Sequence, residues 1–190
     1  MRVLRNVVAG LLISGLVLMA AVPPVPRPSP DFIVHFNDGT EISLHSLRGK
    51  VVALTCIFTT CVHCQHASEV FTKLYQEYGS RGFEPVGVAF NPMANLYVAD
   101  FIKDHGIKHP VGFSAPEKVL EYLGISPMER YVVPQIVWID RKGNIRSQTP
   151  PMGEEKLLQE PYWREMIETL LKEPAETTKK PAATHAKKTP

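Results

Sequence analysis

The sequence predicts an α/β domain: a central mixed β-sheet flanked by helices, preceded by an N-terminal β-hairpin. Three observations predict it. Two near-continuous apolar runs, 51–58 (VVALTCIF) and 83–90 (FEPVGVAF), have the composition of strands buried on both faces. Each is followed by a stretch with helical periodicity. A strand–turn–strand pattern over 135–148 then leads into a last amphipathic helix, so parallel crossovers come first and an antiparallel hairpin follows.

Of the 190 residues, the two ends do not have globular composition. Residues 1–22 begin with Arg2 and Arg5 and run apolar from Val7 to Val22, the pattern of a secretory signal peptide or an uncleaved signal-anchor. No cysteine lies near its end, which excludes a lipoprotein anchor. Residues 23–30 (PPVPRPSP) hold five prolines and predict an extended, semi-rigid spacer. Residues 173–190 contain Lys, Ala, Thr and Pro and no large apolar side chain, so they predict a disordered tail. Four lysines and two glutamates give that tail +2, and Arg2 and Arg5 supply another +2. The total of +2 therefore leaves residues 6–172 at −2. A mildly acidic domain with basic flanks gives no footing for nucleic-acid binding. Residues 31–172 remain for one domain of ordinary core size.

Within it, residues 32–44 form a hairpin around Asn37-Asp38-Gly39. Residues 47–50 turn into the first long strand. Ala67, Val70, Phe71, Leu74 and Tyr78 recur at three- and four-residue steps and predict a helix over about 62–78, ending near Gly79. After the second long strand, Asn91-Pro92 opens a helix through His105 with Gly106 as its C-terminal stop. Residues 116–123 form a shorter helix. Residues 135–140 (QIVWID) form a strand, 141–144 its turn, and 145–148 the returning strand. Trp163, Met166, Ile167, Leu170 and Leu171 mark the last helix, with Pro161 in its first turn. Trp138 and Trp163 fit core packing.

The chemistry concentrates at Cys61-Val62-His63-Cys64, where the first long strand passes into its helix. A helix N-terminus offers unpaired N–H groups and partial positive charge, which favour thiolate over thiol. Cys61 is then the exposed, activated thiol. Cys64 lies one turn in, shielded, placed to resolve a mixed disulfide. A zinc site needs four ligands, and no second Cys-x-x-Cys exists. The interleaved set Cys61, His63, Cys64 and His66 would fan around the helix axis. Haem attachment requires His after the second cysteine, and Gln65 stands there. Cys56, inside the strand, reads as core filler. His35, His45, His105 and His109 read as surface or loop residues.

These pieces together resemble the thioredoxin superfamily, specifically its TlpA/ResA-like branch of exported thiol–disulfide oxidoreductases. The matching residues are Asp38-Gly39-Thr40, Leu44 with Leu47-Arg48-Gly49-Lys50-Val51-Val52, Cys61 and Cys64, and Val133-Pro134-Gln135 with Ile139-Asp140 and Gly143. The resemblance implies a thioredoxin-like fold and a cis Pro134 facing the dithiol. It also implies a catalytic set of Cys61, Cys64 and Pro134 that needs no cofactor beyond its own disulfide. The implied partners are cysteine-containing exported proteins and a redox partner protein, with membrane attachment through the N-terminal segment and a periplasmic or other extracytoplasmic location. Thr60 stands where thioredoxins carry Trp, and Thr55 where they carry a buried acid, so Cys64 would lose its proton to water or His66. Val62-His63 and Val133 resemble DsbA-type oxidants. His63, Val133 and Thr60 are therefore expected to tune the site, with His63 making it relatively oxidising.

Two other families share features. Residues 54–61 resemble the strand leading into the metal cysteines of Sco-like copper-delivery proteins. Their cysteines are three residues apart rather than two, and Val132-Val133-Pro134 occupies the place near their distant histidine. Copper(I) on Cys61 and Cys64, with His63 or His66, is the alternative reading. A peroxiredoxin requires Thr three residues before its reactive cysteine, and Phe58 stands there.

Overall fold

The computed structural model of the chain describes residues 23–174. The expected signal segment (1–22) and most of the expected tail (175–190) lie outside the described residues. In chain order the elements are β1 (Arg27–Pro28), β2 (Ile33–His35), β3 (Glu41–Ser43), β4 (Val51–Ile57), α1 (Val62–Tyr78), β5 (Phe83–Ala89), α2 (Ala94–Asp104), β6 (Val111–Phe113), α3 (Pro116–Leu123), β7 (Gln135–Ile139), β8 (Asn144–Gln148) and α4 (Glu160–Lys172).

Eight strands form one sheet in the order β1-β8-β7-β4-β5-β6-β2-β3. The middle is mixed: β4 runs parallel to β5 and antiparallel to β7, and β5 is parallel to β6. All seven residues of β4 and of β5 are buried, as their near-continuous apolar runs required. Alternate residues of β4 face opposite layers. Val52, Leu54 and Cys56 join the core under α3 and the hairpin. Val51 and Ala53 pack under α1 and α4, and Ile57 packs with α2 residues and Cys64. Trp163 stacks on Phe71 at 4.6 Å between ring centroids and ties α4 to α1. Burial of Trp163, Ile167 and Leu170 stabilises that contact by roughly 2 kcal/mol each.

Four details differ from expectation. Residues 27–28 are not part of a free spacer: Arg27 and Pro28 pair with Ile145 and Asn144 at the sheet edge. Arg27 donates to Gln148 Oε1 at 2.6 Å, and the Ser29 hydroxyl meets that of Tyr122 at 2.9 Å. Extended Pro-rich backbone suits an edge strand, because an edge leaves one side free of hydrogen-bonding demands. Strand β6 was not foreseen. It is three residues long and centred on Gly112, where a Cβ would collide with the His35 carbonyl of neighbouring β2. The expected tail is held at its first residue, since Arg146 Nη1 lies 2.7 Å from a Glu173 carboxylate oxygen.

His109 is the fourth: it is buried, not on the surface. Its Nδ1 lies 3.2 Å from the Thr72 hydroxyl, and Nε2 is buried without a partner among the described residues. Burial pushes its pKa down to about 4, against about 6.5 for a free imidazole. Between those values the unfolded chain holds a proton that the folded chain does not. Stability from this group is therefore complete above about pH 6.5 and declines as pH falls toward 4. His109→Gln is expected to flatten the fall of the urea midpoint across that window. An unchanged slope in the variant would remove the assignment.

Candidate functional site

Strand β4 ends between β5 and β7, and a turn carries the chain from Ile57 into α1. The Cys61 N–H donates to the Phe58 carbonyl at 3.1 Å, closing a four-residue turn with Thr59 and Thr60 at its centre. Cys61 is the N-cap residue of α1, in extended conformation (φ −87°, ψ 119°), and its carbonyl accepts the first helical bond from Gln65 N–H at 3.0 Å. The spacing of the motif fixes the rest. Three residues on, Cys64 has turned inward and is fully buried among Ile57, Ala89, Ala94 and Val98. Cys61 remains half-buried.

Cys61 packs against the cluster that encloses Cys64, so the two thiols are close neighbours. Burial is the largest influence on Cys64 and pushes its thiol far above the ordinary range. The Cys61 side chain pushes the same way, and a backbone hydrogen bond from Phe58 opposes. Cys56 is wholly buried on the opposite face of β4, and its thiol is raised by burial alone. Its packing is that of core filler.

From the other side comes the segment before β7. The Val133–Pro134 bond is cis. The Cys61 Sγ lies 3.7 Å from the Val133 carbonyl oxygen, the contact that joins the two halves of the site. Gln135, completely buried, holds this segment in place. Its Nε2 lies 2.8 Å from the Val132 carbonyl, 3.2 Å from that of Pro150 and 3.1 Å from that of Pro151. The Val132 N–H also donates to the Pro151 carbonyl at 2.9 Å.

Of the residues singled out from sequence, Cys61, Cys64 and Val133 meet, and Pro134 follows directly as a buried residue. Thr60 and His63 are exposed. His63 and His66 line one side of a groove of about 660 Å³ that starts at Val132-Val133-Pro134 and runs to Leu158, Gln159, Pro161 and Trp163, with Glu155 and Glu160 also on its wall. The Trp163 indole N–H donates to the Leu157 carbonyl at 2.8 Å, fixing the far wall. Among the described residues, no three His, Cys, Asp or Glu side chains form a cluster able to hold a metal. Cys64 faces the core, whereas His63 and His66 are exposed. Also among the described residues, no helix is long and apolar enough to cross a membrane.

Sequence reasoning gave Asn91, Gln65 and Gln135 no part in holding the site. Asn91 and Gln65 bind the turn from 32 and 6 residues away, and only the parallel pairing of β4 with β5 brings Asn91 there.

Residues 25–160 match the Redoxin family. The thiol-disulfide oxidoreductase ResA of Bacillus anthracis is 27% identical over 124 residues, 65% of this chain and 68% of that protein. ResA of Bacillus subtilis is 29% identical over 100 residues, covering 53% and 55%. A thioredoxin-family thiol:disulfide interchange protein from Chlorobium tepidum superposes with a TM-score of 0.63 at 26% identity, covering 77% of this chain and 97% of that one. A DsbE from the same organism, at 21% identity and a TM-score of 0.63, shares the fold.

The unequal burial of the three cysteines has a direct consequence. Iodoacetamide on the reduced, folded protein near pH 7.5 is expected to add to Cys61 alone, with Cys64 and Cys56 reacting after unfolding. Intact-mass analysis reads this. Two or three adducts on the folded protein would contradict the burial described.

Proposed function

The chain belongs to the redoxin family, and we propose that it exchanges disulfides with cysteine-containing proteins through Cys61 and Cys64. Its class is that of a thiol–disulfide oxidoreductase of the thioredoxin type, as in its TlpA/ResA-like relatives. One observation carries the residue assignment: two neighbouring thiols at a helix start, one half-exposed and one fully buried.

In the reducing direction the Cys61 thiolate attacks one sulfur of a substrate disulfide. A mixed disulfide forms and the other substrate sulfur leaves as thiolate. Cys64 then gives up its proton and attacks the Cys61 sulfur. The Cys61–Cys64 disulfide forms, and the second substrate thiolate leaves. Two electrons have passed to the substrate, and a redox partner protein returns them. The oxidising direction runs the same steps backward. Because burial holds the Cys64 proton tightly, its departure to water or to His66 governs the second step. Val133 and Pro134 form the wall against which Cys61 reacts, and the groove beside them receives the substrate chain. Thr60, exposed next to Cys61, leaves that approach open where a larger side chain would narrow it.

The basic and apolar pattern of residues 1–22 supports an exported, extracytoplasmic protein acting on exported substrates, with membrane attachment if that segment is retained. An oxidising compartment suits a dithiol that cycles through a disulfide.

Cys64→Ala is expected to leave the first step intact and block the second. Expressed in its own cell, the variant should accumulate mixed disulfides through Cys61 that a reductant releases, and adding Cys61→Ser should abolish them. An absence of adducts in Cys64→Ala would overturn the proposal. The placement of His63 between the cysteines carries a further expectation. A histidine at that position favours the reduced form of the dithiol. The potential should lie above the roughly −270 mV of thioredoxin and fall in His63→Ala. A potential at thioredoxin's value, unmoved by the substitution, would remove this tuning role.

A further inference from the structure

We infer that Asn91 and Gln65 are positioning residues that set the reactivity of Cys61 by clamping the peptide of Thr59. This role presupposes that Cys61 is the attacking thiol. Thr59 is buried, two residues before Cys61, at the centre of the turn that swings the chain from β4 into α1. Its hydrogen-bonding groups are held by two side chains from different elements. The Thr59 N–H donates to Asn91 Oδ1 at 3.0 Å, and the Thr59 hydroxyl donates to the same oxygen at 3.3 Å. The Thr59 carbonyl accepts from Gln65 Nε2 at 3.0 Å. The donor–acceptor sense is fixed by the backbone: an N–H can only donate and a carbonyl can only accept, so both amides have one productive orientation.

The clamp spans the structures that must agree for the site to work. Asn91 is buried and lies just after β5. Its carbonyl accepts the Ala94 N–H at 3.0 Å and its Nδ2 donates to the Pro92 carbonyl at 3.3 Å, so it is fixed before it meets Thr59. Gln65 sits on α1 directly after Cys64, and its own N–H donates to the Cys61 carbonyl at 3.0 Å. One residue thus holds the N-cap geometry with its backbone and the preceding turn with its side chain. Without the clamp, the Thr59–Thr60 peptide can rotate while the Phe58–Cys61 bond persists, since a turn is compatible with more than one central peptide orientation. Cys61 would then sample directions away from the helix N-terminus, from Cys64 and from the Val133 carbonyl. A reactive group spread over several orientations reacts more slowly than one held in the productive one.

The test compares Gln65→Met, Asn91→Ala and Thr59→Ser with wild type. Gln65 is only partly buried on a helix, so Gln65→Met removes the donor and keeps length and helix propensity. Thr59→Ser keeps every bond of the clamp. Two readouts are taken on the folded proteins: the rate of Cys61 alkylation at fixed pH, and the thiol–disulfide equilibrium with glutathione. Gln65→Met and Asn91→Ala are expected to slow alkylation and, because a Cys61 turned away from Cys64 closes the ring less readily, to shift the equilibrium toward the dithiol, each on the order of tenfold. Thr59→Ser should match wild type. A purely structural role would lower the melting temperature and move neither readout. If Asn91→Ala fails to fold, Gln65→Met decides alone. Wild-type reactivity and equilibrium in Gln65→Met would overturn the clamp while leaving the oxidoreductase reading intact. A wild-type Cys61 as slow as a free cysteine would instead overturn that reading, and the clamp with it.

Discussion

The antiparallel register of β7 against β4 is the constraint on which the site depends. Cys56 pairs with Gln135 and Thr55 with Ile136. From that pairing, β4 runs five residues onward to Cys61, and the opposite chain runs back one residue to Pro134 and two to Val133. The two segments therefore arrive at the same edge of the sheet, where the Cys61 sulfur meets the Val133 carbonyl. A slip of one residue would reverse which face each side chain of β7 presents. Ile136 and Trp138 would leave the layer under α1 and α4, and Val137 would leave the layer under α3. The hydrophobic core thus fixes the geometry of the site, although the core residues of β7 themselves carry no chemistry.

Given that register, the chemistry follows from an asymmetry built into three residues of helix. Cys61 is at the cap, where its sulfur meets solvent. Cys64, one turn later, is enclosed by apolar side chains. In the proposed exchange, the same burial that keeps Cys64 protonated leaves Cys61 open to a partner and reserves Cys64 for the second step. Cys56 is only five residues from Cys61, yet strand alternation points it into the other layer of the core.

Much of this was legible in the sequence. The long strands β4 and β5 and the helices α1 and α4 declared themselves by apolar runs and by three- and four-residue periodicity. The candidate site was marked by the Cys-x-x-Cys at a strand–helix junction, and the Val133-Pro134 segment that meets it by its resemblance to a known family. What escaped notice depended on tertiary pairing. Strand β6 is too short to carry a period, and it exists because Gly112 lets β2 approach. The Pro-rich start gave no sign that β8 would offer it an edge. His109 had no apolar pattern around it to mark it as buried beside Thr72. The side chains that hold the site, Asn91 and Gln135, are uncharged amides in unremarkable contexts. Their role comes from the carbonyls and N–H groups that the sheet brings within their reach.

The central claim is that one pair of sulfurs, at the edge of the sheet, forms and breaks a bond reversibly while the third stays out. The most direct measurement is equilibration of the protein across a series of glutathione redox buffers, followed by acid quenching and peptide-level mass mapping. The account predicts a single Cys61–Cys64 disulfide whose fraction follows the buffer from either direction, with Cys56 a thiol throughout. A disulfide that includes Cys56, or a Cys61–Cys64 pair that stays reduced in the most oxidising buffer, would contradict it.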